Sequence, residues 1–164
     1  MAESALVITI STRAAAGVYQ DKSGPIIAGT LGDLGFTVVG PLVVPDGEAV
    51  GAALRDAVAA GHAVVITTGG TGLNPRDQTP EQTREVVERE IPQLAAAIVR
   101  YGADHGVPTA VLSRGVAGVA GRTLIVNLPG SSGGARDGMV VLAPVLSHAI
   151  DRARPAAPSR VRRP

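Results

Sequence analysis

The stretch AVVITTGGTGLNPRDQTPEQT, residues 63–83, joins a short apolar run to a glycine-rich loop and the start of a helix. The run over 63–68 is too short for an ordinary helix and is apolar without alternation, which is typical of a strand buried on both faces. Gly69, Gly70 and Gly72 then follow within four residues. Backbone without a Cβ can adopt positive φ and can approach a bulky anion closely. The stretch therefore predicts a buried strand followed by a candidate ligand loop.

The downstream border of this loop predicts a helix. Thr79 would be its N-cap, Pro80 its first residue, and Gln82 would complete a capping box. The electropositive N-terminal end would then face the loop, which suits a phosphate group. The loop lacks the Lys-Ser or Lys-Thr pair of a P-loop and the spacing of the dinucleotide fingerprint. Glycine count alone therefore leaves phosphate binding and a plain tight turn equally open.

Similar apolar runs recur along the chain and alternate with helical patterns. The other predicted strands are 6–10 (LVITI), 36–40 (FTVVG), 109–112 (TAVL) and 123–128 (TLIVNL). Helices are predicted around 27–34, 50–58, 80–90 and 92–102, with a last one over 133–152 that Pro144 kinks or divides in two. This alternation predicts a single α/β domain with a mostly parallel central sheet covered by helices on both sides.

Composition narrows the classes of function. The chain has 164 residues and no cysteine, which excludes thiol nucleophiles, zinc–thiolate sites and disulfides. Its three histidines have no partner at metal or catalytic-triad spacing, and it contains no G-x-S-x-G nucleophile elbow. No uncharged apolar stretch reaches the ~18 residues of a membrane span, and no positively charged segment precedes the first apolar run. We therefore expect a soluble, cytoplasmic protein without a membrane partner.

The net charge of +1 conceals an uneven distribution. Five of the fifteen basic residues lie in the last thirteen positions, and the rest of the chain has ten basic and fourteen acidic residues, a net charge of −4. With one Phe, two Tyr and no Trp, that body lacks the positive surface and the stacking platforms of a nucleic-acid-binding protein. We expect one domain over 1–152 and a disordered basic tail over 153–164.

Two aspartates follow predicted strands. Asp46 lies in VVPDGE and could cap the next helix, and Asp77 could form an Asx-turn at a helix entry. As a pair they are more informative, because both could converge at one edge of the sheet. Two carboxylates ~4 Å apart repel by roughly 4 kcal/mol at an effective dielectric constant of 20, a repulsion that a divalent cation reverses. Carboxylates are hard oxygen ligands, and the chain has no cysteine for a softer metal. The pair of aspartates therefore indicates Mg²⁺.

Two further loops offer polar groups after predicted strands. In LPGSSGGARDG, residues 128–138, the turn and hydroxyls ahead of a helix predict a second anion nest, although ordinary strand-to-helix punctuation fits equally well. Ser113 and Arg114 follow the run at 109–112 and add a hydroxyl and a planar bidentate donor for phosphate. A surface arginine is the alternative interpretation of that pair.

Taken together, these loops resemble the molybdopterin-binding family of molybdenum cofactor biosynthesis, the Mog/MoaB proteins related to the G domain of gephyrin. The resemblance covers residues 5–152 and is carried by AAAGVYQDKSGP (14–25), VVPDG (43–47), TTGGTGLNPRDQTPEQT (67–83) and LSRGVAGVAGRTLIVNLPGS (112–131). The combination of T-G-G-T-G, P-R-D-x-T-P-E and S-R…L-P-G-S is far more specific than any one glycine cluster.

The resemblance implies a three-layer αβα fold, a homotrimer, and adenylylation of molybdopterin by Mg-ATP with release of pyrophosphate. It implies that Asp46 and Asp77 are the catalytic and Mg²⁺-binding aspartates. It also implies that substrate and phosphate are bound by Thr68, Gly69, Gly70, Thr71, Gly72, Ser113, Arg114, Pro129, Gly130 and Ser131. Asp21 and Ser23, in an early loop shared with the family, would face the same site.

Two other functions are consistent with the resemblance. A catalytically silent MoaB-like trimer would bind or deliver molybdopterin without ATP-dependent turnover. A gephyrin-like scaffold would be expected to carry added domains, which a single-domain length disfavours. For an active enzyme, the implied next step is transfer of the adenylylated product to a molybdate-inserting enzyme.

Overall fold

The computed structural model describes residues 2–156, so most of the predicted basic tail, 157–164, lies outside the described residues. Six strands form one sheet in the order β2-β1-β3-β6-β5-β4. The first four in that order are parallel; at the edge β5 pairs antiparallel with β6, and β4 pairs antiparallel with β5. The strands are β1 (Ser4–Ile10), β2 (Thr37–Val44), β3 (Val64–Thr68), β4 (Arg89–Glu90), β5 (Ala117–Ala120) and β6 (Thr123–Leu128).

Helices lie in most of the connections between these strands, and two more follow β6. They are α1 (Thr12–Ala15), α2 (Ser23–Asp33), α3 (Glu48–Ala60), α4 (Thr79–Val86), α5 (Pro92–Asp104), α6 (Ser132–Leu142) and α7 (Leu146–Ala153), with a 3₁₀ helix at Pro108–Leu112. Pro144 lies between α6 and α7. Of the two predicted alternatives, a kink or a division into two helices, the structure confirms the division. No helix within residues 2–156 is long and apolar enough to cross a membrane.

Two apolar clusters, one on each face of the sheet, confirm the three-layer fold. Strand residues alternate between the clusters: Val7 and Ile66 pack with α2 and α6 on one face, and Ile8 and Val65 pack with α3 on the other. The strands β1, β3 and β6 are buried almost throughout, which explains why their sequences are continuously apolar. Burial on both faces fixes the sheet in the middle of the domain.

Two local predictions were wrong at one edge of the sheet, and one strand there was not predicted. Residues 109–112 belong to the 3₁₀ helix, where Val111 and Leu112 are 62% and 51% exposed, because Pro108 starts a tight turn instead of a buried strand. The strand actually present there is β5, whose sequence AGVA has little β propensity but is fully buried against β6. The helix predicted over 80–90 ends at Val86, and β4 then pairs with β5.

Asn127 connects the sheet to the layer that carries α4. Its Nδ2 donates to Thr67 Oγ1 at 2.9 Å and to Thr83 Oγ1 at 3.1 Å, and its Oδ1 accepts from the Val116 N–H at 3.0 Å. All of these groups are buried, so the amide satisfies polar atoms that water cannot reach. One side chain thereby joins β3, β6, α4 and the segment before β5.

We expect Asn127→Ala to lower the free energy of unfolding by about 2–3 kcal/mol, since two hydroxyls and one N–H lose their partner in the core. Urea denaturation of the variant and the wild type measures this difference. Asn74→Ala, in an exposed loop, is the matched control and should cost less than about 1 kcal/mol. Equal losses in the two variants would contradict the importance given to the buried network.

Candidate active site

A cleft of about 640 Å³ opens where the parallel strands end. Its walls are the segments that follow β1, β2, β3 and β6, as expected for ligand sites in open α/β sheets. The predicted residues that line it are Asp46, Thr68, Gly69, Gly70, Asp77, Gly130 and Ser131, together with Asp21 and Ser23 of the early loop. The structure thus brings together residues that are up to 110 positions apart in the sequence.

The glycine loop after β3 requires glycine at two positions. Gly69 has a φ of 101° and Gly70 a φ of 67°, both in the region that side chains disfavour. The Gly69 N–H donates to Leu128 O at 3.1 Å, and the Thr68 hydroxyl donates to Pro129 O at 2.7 Å. These two bonds fix the loop after β3 beside the loop after β6.

The border between the glycine loop and α4 differs from the prediction. The helix begins at Thr79, so Gln78 occupies the N-cap position, and it makes no side-chain cap. The Thr79 N–H donates instead to Gly70 O at 3.2 Å, and its hydroxyl has no hydrogen-bond partner. The predicted capping box is therefore absent, because Thr79 is used to connect the helix to the loop. The N-terminal end of α4 still lies against the glycine loop.

Asp46 follows β2, and its two carboxylate oxygens have different hydrogen-bonding surroundings. Its Oδ2 accepts from the Thr12 hydroxyl at 3.3 Å, whereas its Oδ1 is buried without a partner. Burial raises the pKa of the Asp46 carboxyl, with a further contribution from the negative charge of Asp77, while the hydrogen bonds from Thr12 act in the opposite direction. The predicted helix cap is wrong, since Gly47 occupies that position before α3. Asp46 faces the cleft.

Asp77 has both a local and a cleft-facing role. Its Oδ2 accepts from the Asn74 N–H at 3.1 Å, three residues earlier in the chain, so the carboxylate stabilises the loop without forming the predicted Asx-turn, and the side chain also lines the cleft. Within residues 2–156 there is no group of three or more His, Cys, Asp or Glu side chains that could hold a metal.

Arg114 holds the glycine loop in place. Its Nε donates to Gly72 O at 2.8 Å, its Nη2 donates to Asp77 O at 2.7 Å, and its Nη1 pairs with Glu81. The hydrogen bond from Arg114 lowers the pKa of the Glu81 carboxyl. The guanidinium thus joins the beginning of the loop to its end. Its N–H donors, which were predicted to bind phosphate, are engaged in these contacts.

We expect Arg114→Gln to loosen the loop, because glutamine cannot span three acceptors. Backbone amides in 71–78 should exchange with deuterium roughly tenfold faster, the loss of about 1–1.5 kcal/mol of local stability. Hydrogen-exchange mass spectrometry measures this. Arg122→Gln, which removes a 2.9 Å bond to Gly61 O at the opposite end of the sheet, is the control. Unchanged exchange in 71–78 would show that Arg114 does not hold the loop.

The remaining predicted residues line a second, more apolar cavity of about 380 Å³. Thr71, Gly72, Ser113 and Pro129 lie on its walls, and Ser131 lines both cavities. The Ser131 hydroxyl accepts from the Gly134 N–H at 3.0 Å and so caps α6. The predicted site residues are therefore divided between a polar cleft and an adjoining apolar cavity.

Several polar residues of the cleft were not predicted. Thr12, Arg13, Lys22 and Arg76 line it, and three of them are cationic. Thr12 also donates to Asp46. Their position in the sequence could have identified Thr12 and Arg13 as cleft residues, because they follow the end of β1 just as Asp46 follows the end of β2. The three cations balance the carboxylates of Asp21, Asp46 and Asp77 and give the cleft groups that attract anions.

Comparison with known proteins relates this arrangement to solved structures. The structure of MogA is 60% identical, with a TM-score of 0.90 over 92% of this chain and 99% of that chain. The molybdopterin biosynthesis Mog protein from Mycobacterium ulcerans is 57% identical, with a TM-score of 0.86 over 93% of this chain and 99% of that chain. Both therefore share nearly the whole fold.

Sequence comparison relates the chain to the same group of proteins. The chain is 36% identical over 152 residues to the molybdopterin adenylyltransferase of Pyrococcus furiosus, covering 90% of this chain and 89% of that protein. It is 37% identical to the molybdenum cofactor biosynthesis bifunctional protein of Synechococcus elongatus, covering 89% of this chain but 46% of that protein. The chain spans about half the length, or less, of such longer relatives.

Residues 6–148 match the family described as a "probable molybdopterin binding domain" of molybdenum cofactor biosynthesis. The chain belongs to this family, the Mog/MoaB molybdopterin-binding domains.

Proposed function

We propose that this chain is a molybdopterin adenylyltransferase that uses Mg-ATP. The observation that carries the proposal is the cleft itself, in which Asp46 and Asp77 face a positive-φ glycine loop and the N-terminal end of α4. Similarity over nine-tenths of the chain to a protein of that name supports the choice of substrate. The same cleft has carboxylates for a cation and N–H groups for phosphates.

The two aspartates fit a magnesium ion. The buried Oδ1 of Asp46 lacks a partner, and the negative charge of Asp77 acts on the same carboxyl. Two carboxylates together with phosphate oxygens are a donor set that Mg²⁺ prefers. When bound, Mg²⁺ would offset charge on the phosphates of ATP and on the leaving pyrophosphate.

The residues of the chain would position and neutralise the reacting phosphates. A terminal phosphate oxygen of molybdopterin forms a bond to the α-phosphorus of ATP, and the bond between that phosphorus and the oxygen bridging to the β-phosphate breaks. Arg13, Lys22 and Arg76 line the cleft and would attract the phosphates, and the N-terminal end of α4 adds its partial positive charge. The substrate supplies the nucleophile, so no side chain has to become covalently bonded.

The adjoining apolar cavity would hold a flat ring of a substrate. Its walls include Pro129 and Leu112 with few polar groups, as is common in ring-binding pockets. Ser131 lines both cavities and would contact the substrate where the ring joins its phosphate. A homotrimeric assembly, a cytoplasmic location and transfer of the product to a molybdate-inserting enzyme are further parts of this proposal, suggested by the family resemblance.

Anaerobic incubation with molybdopterin and Mg-ATP tests the function. Chromatography measures the two products. We expect adenylylated molybdopterin and pyrophosphate in equal amounts, and no product when EDTA removes the metal. Tight binding of molybdopterin without product would contradict the enzyme and indicate a binding or delivery protein. Sedimentation velocity of the same sample measures whether it is a trimer.

A further inference from the structure

Thr79 differs from three other buried threonines, whose hydroxyls are hydrogen-bonded. Thr67 and Thr83 bond to Asn127, and Thr123 donates to His62 O at 2.7 Å. Thr79 is fully buried, yet its hydroxyl has no partner in the structure. Leaving a buried hydroxyl unsatisfied costs roughly 1–3 kcal/mol, so such a group is expected to have a partner in the working protein.

Among residues 2–156, the other buried side-chain atom without a partner is Asp46 Oδ1. The two oxygens face the same point, above the Cα of Gly70. A methyl group built there would overlap Thr79 Oγ1 and would lie 2.8 Å from Asp46 Oδ1. Gly70 thus lets a carboxylate and a hydroxyl from different elements of the fold come together over its Cα, with no room for a side chain there. Two neighbouring unsatisfied oxygens indicate a small polar partner that both would bind.

The carboxylates nearest these two oxygens favour a cation over an anion, although Arg13, Lys22 and Arg76 line the same cleft. Asp46 contributes one of the two oxygens, and Asp77 is close enough to raise the pKa of the Asp46 carboxyl. The N-terminal end of α4 contributes roughly +0.5 elementary charge, which is smaller than the two negative charges. A threonine hydroxyl, like a carboxylate, is a hard oxygen ligand that Mg²⁺ accepts. A divalent cation that reaches both oxygens would therefore satisfy them.

We propose that Thr79 is part of the divalent-cation site, binding the cation beside Asp46. The inference rests on the proposed function, because it takes Asp46 as a ligand of the cation used with ATP. It adds a residue on α4 to the two aspartates. It also gives a reason for glycine at position 70, since a side chain there would overlap Thr79 Oγ1 and push it away from Asp46.

Thr79→Val tests the proposal because valine keeps the shape and removes the hydroxyl. The affinity for Mn²⁺ is measured by the electron paramagnetic resonance signal of the free ion, with α,β-methylene-ATP present. We expect the dissociation constant to rise roughly 10- to 100-fold, as for other groups that orient a metal site. Thr79→Ser keeps the hydroxyl and should bind Mn²⁺ like the wild type. Thr123→Val removes the hydroxyl of a buried threonine that bonds to His62 O and should also leave the affinity unchanged.

Thermal denaturation without metal separates a ligand-binding role from a structural one. Thr79→Val should melt at or above the temperature of the wild type, since it removes an unsatisfied hydroxyl, whereas Thr123→Val should melt lower. Thr79→Ala gives the same Mn²⁺ comparison if the valine variant does not fold. Wild-type Mn²⁺ affinity in Thr79→Val would overturn the inference alone. Absence of Mn²⁺ binding by the wild type would overturn the cation site of the proposed function as well.

Discussion

Asp77→Asn is expected to bind molybdopterin with an affinity within a few-fold of the wild type and to lose adenylyl transfer by roughly 10²- to 10³-fold. The loss corresponds to the several kcal/mol by which a metal ion stabilises transition-state charge. Asparagine keeps the shape of the side chain and removes the negative charge that would recruit the cation. Single-turnover assays at saturating molybdopterin and Mg-ATP measure the change.

The local structure makes Asp77→Asn a clean substitution. The carboxylate accepts from the Asn74 N–H, and the amide oxygen of asparagine can accept the same bond. The Arg114 guanidinium bonds to the backbone carbonyl of residue 77, which the substitution leaves in place. The loop should therefore keep its conformation, and the change in rate reports on charge.

A control and a companion variant complete the comparison. Glu85→Gln removes a carboxylate from α4 that is 62% exposed and pairs with Arg55 on the surface, so it should transfer AMP at the wild-type rate. Asp46→Asn should lose activity as Asp77→Asn does. Turnover near the wild-type level in Asp77→Asn would rule out a required charge at this position.

The centre of the fold could be predicted from sequence because its strands are buried on both faces. The runs that form β1, β3 and β6 are apolar without interruption, and that pattern is visible in one chain. At the edge the local pattern was misleading. Residues 117–120 are a strand only because β6 and β4 pair with them, whereas the β-branched run at 109–112 follows Pro108 into an exposed 3₁₀ turn. Tertiary pairing decided both cases.

The site was predictable to a similar extent. The position of Asp46 and Asp77 after strands was sufficient to expect them in one cleft. Which donor contacts which acceptor depends on distances between segments that are remote in sequence. The bonds from Arg114 to Gly72 and Asp77, and the unsatisfied oxygens around Gly70, are of this kind. Spacing within one motif carries no information about such contacts.

Gly69→Ala is expected to lower the free energy of unfolding by roughly 3–5 kcal/mol, the combined cost of a disfavoured backbone conformation and of a steric overlap. Gly69 has a φ of 101°, and a methyl group there would overlap the carbonyl oxygen of Ile10. Ile10 is the last residue of β1, so the overlap involves backbone on both sides and a change of rotamer cannot relieve it. Thermal and urea denaturation measure the loss.

The same overlap should also disable the cleft in the fraction of Gly69→Ala that folds. Displacing Ile10 would move Thr12, which holds Asp46 by the bond to its Oδ2, and so would shift the proposed cation ligand. We therefore expect weaker Mn²⁺ binding at a temperature where the variant is folded. Gly29→Ala is the control, because that residue is exposed within α2 with nothing near the added methyl group, and it should be stabilised by about 0.5–1 kcal/mol. Equal stability of the two variants would mean that the loop tolerates a side chain at Gly69, and the glycine there would then need another explanation.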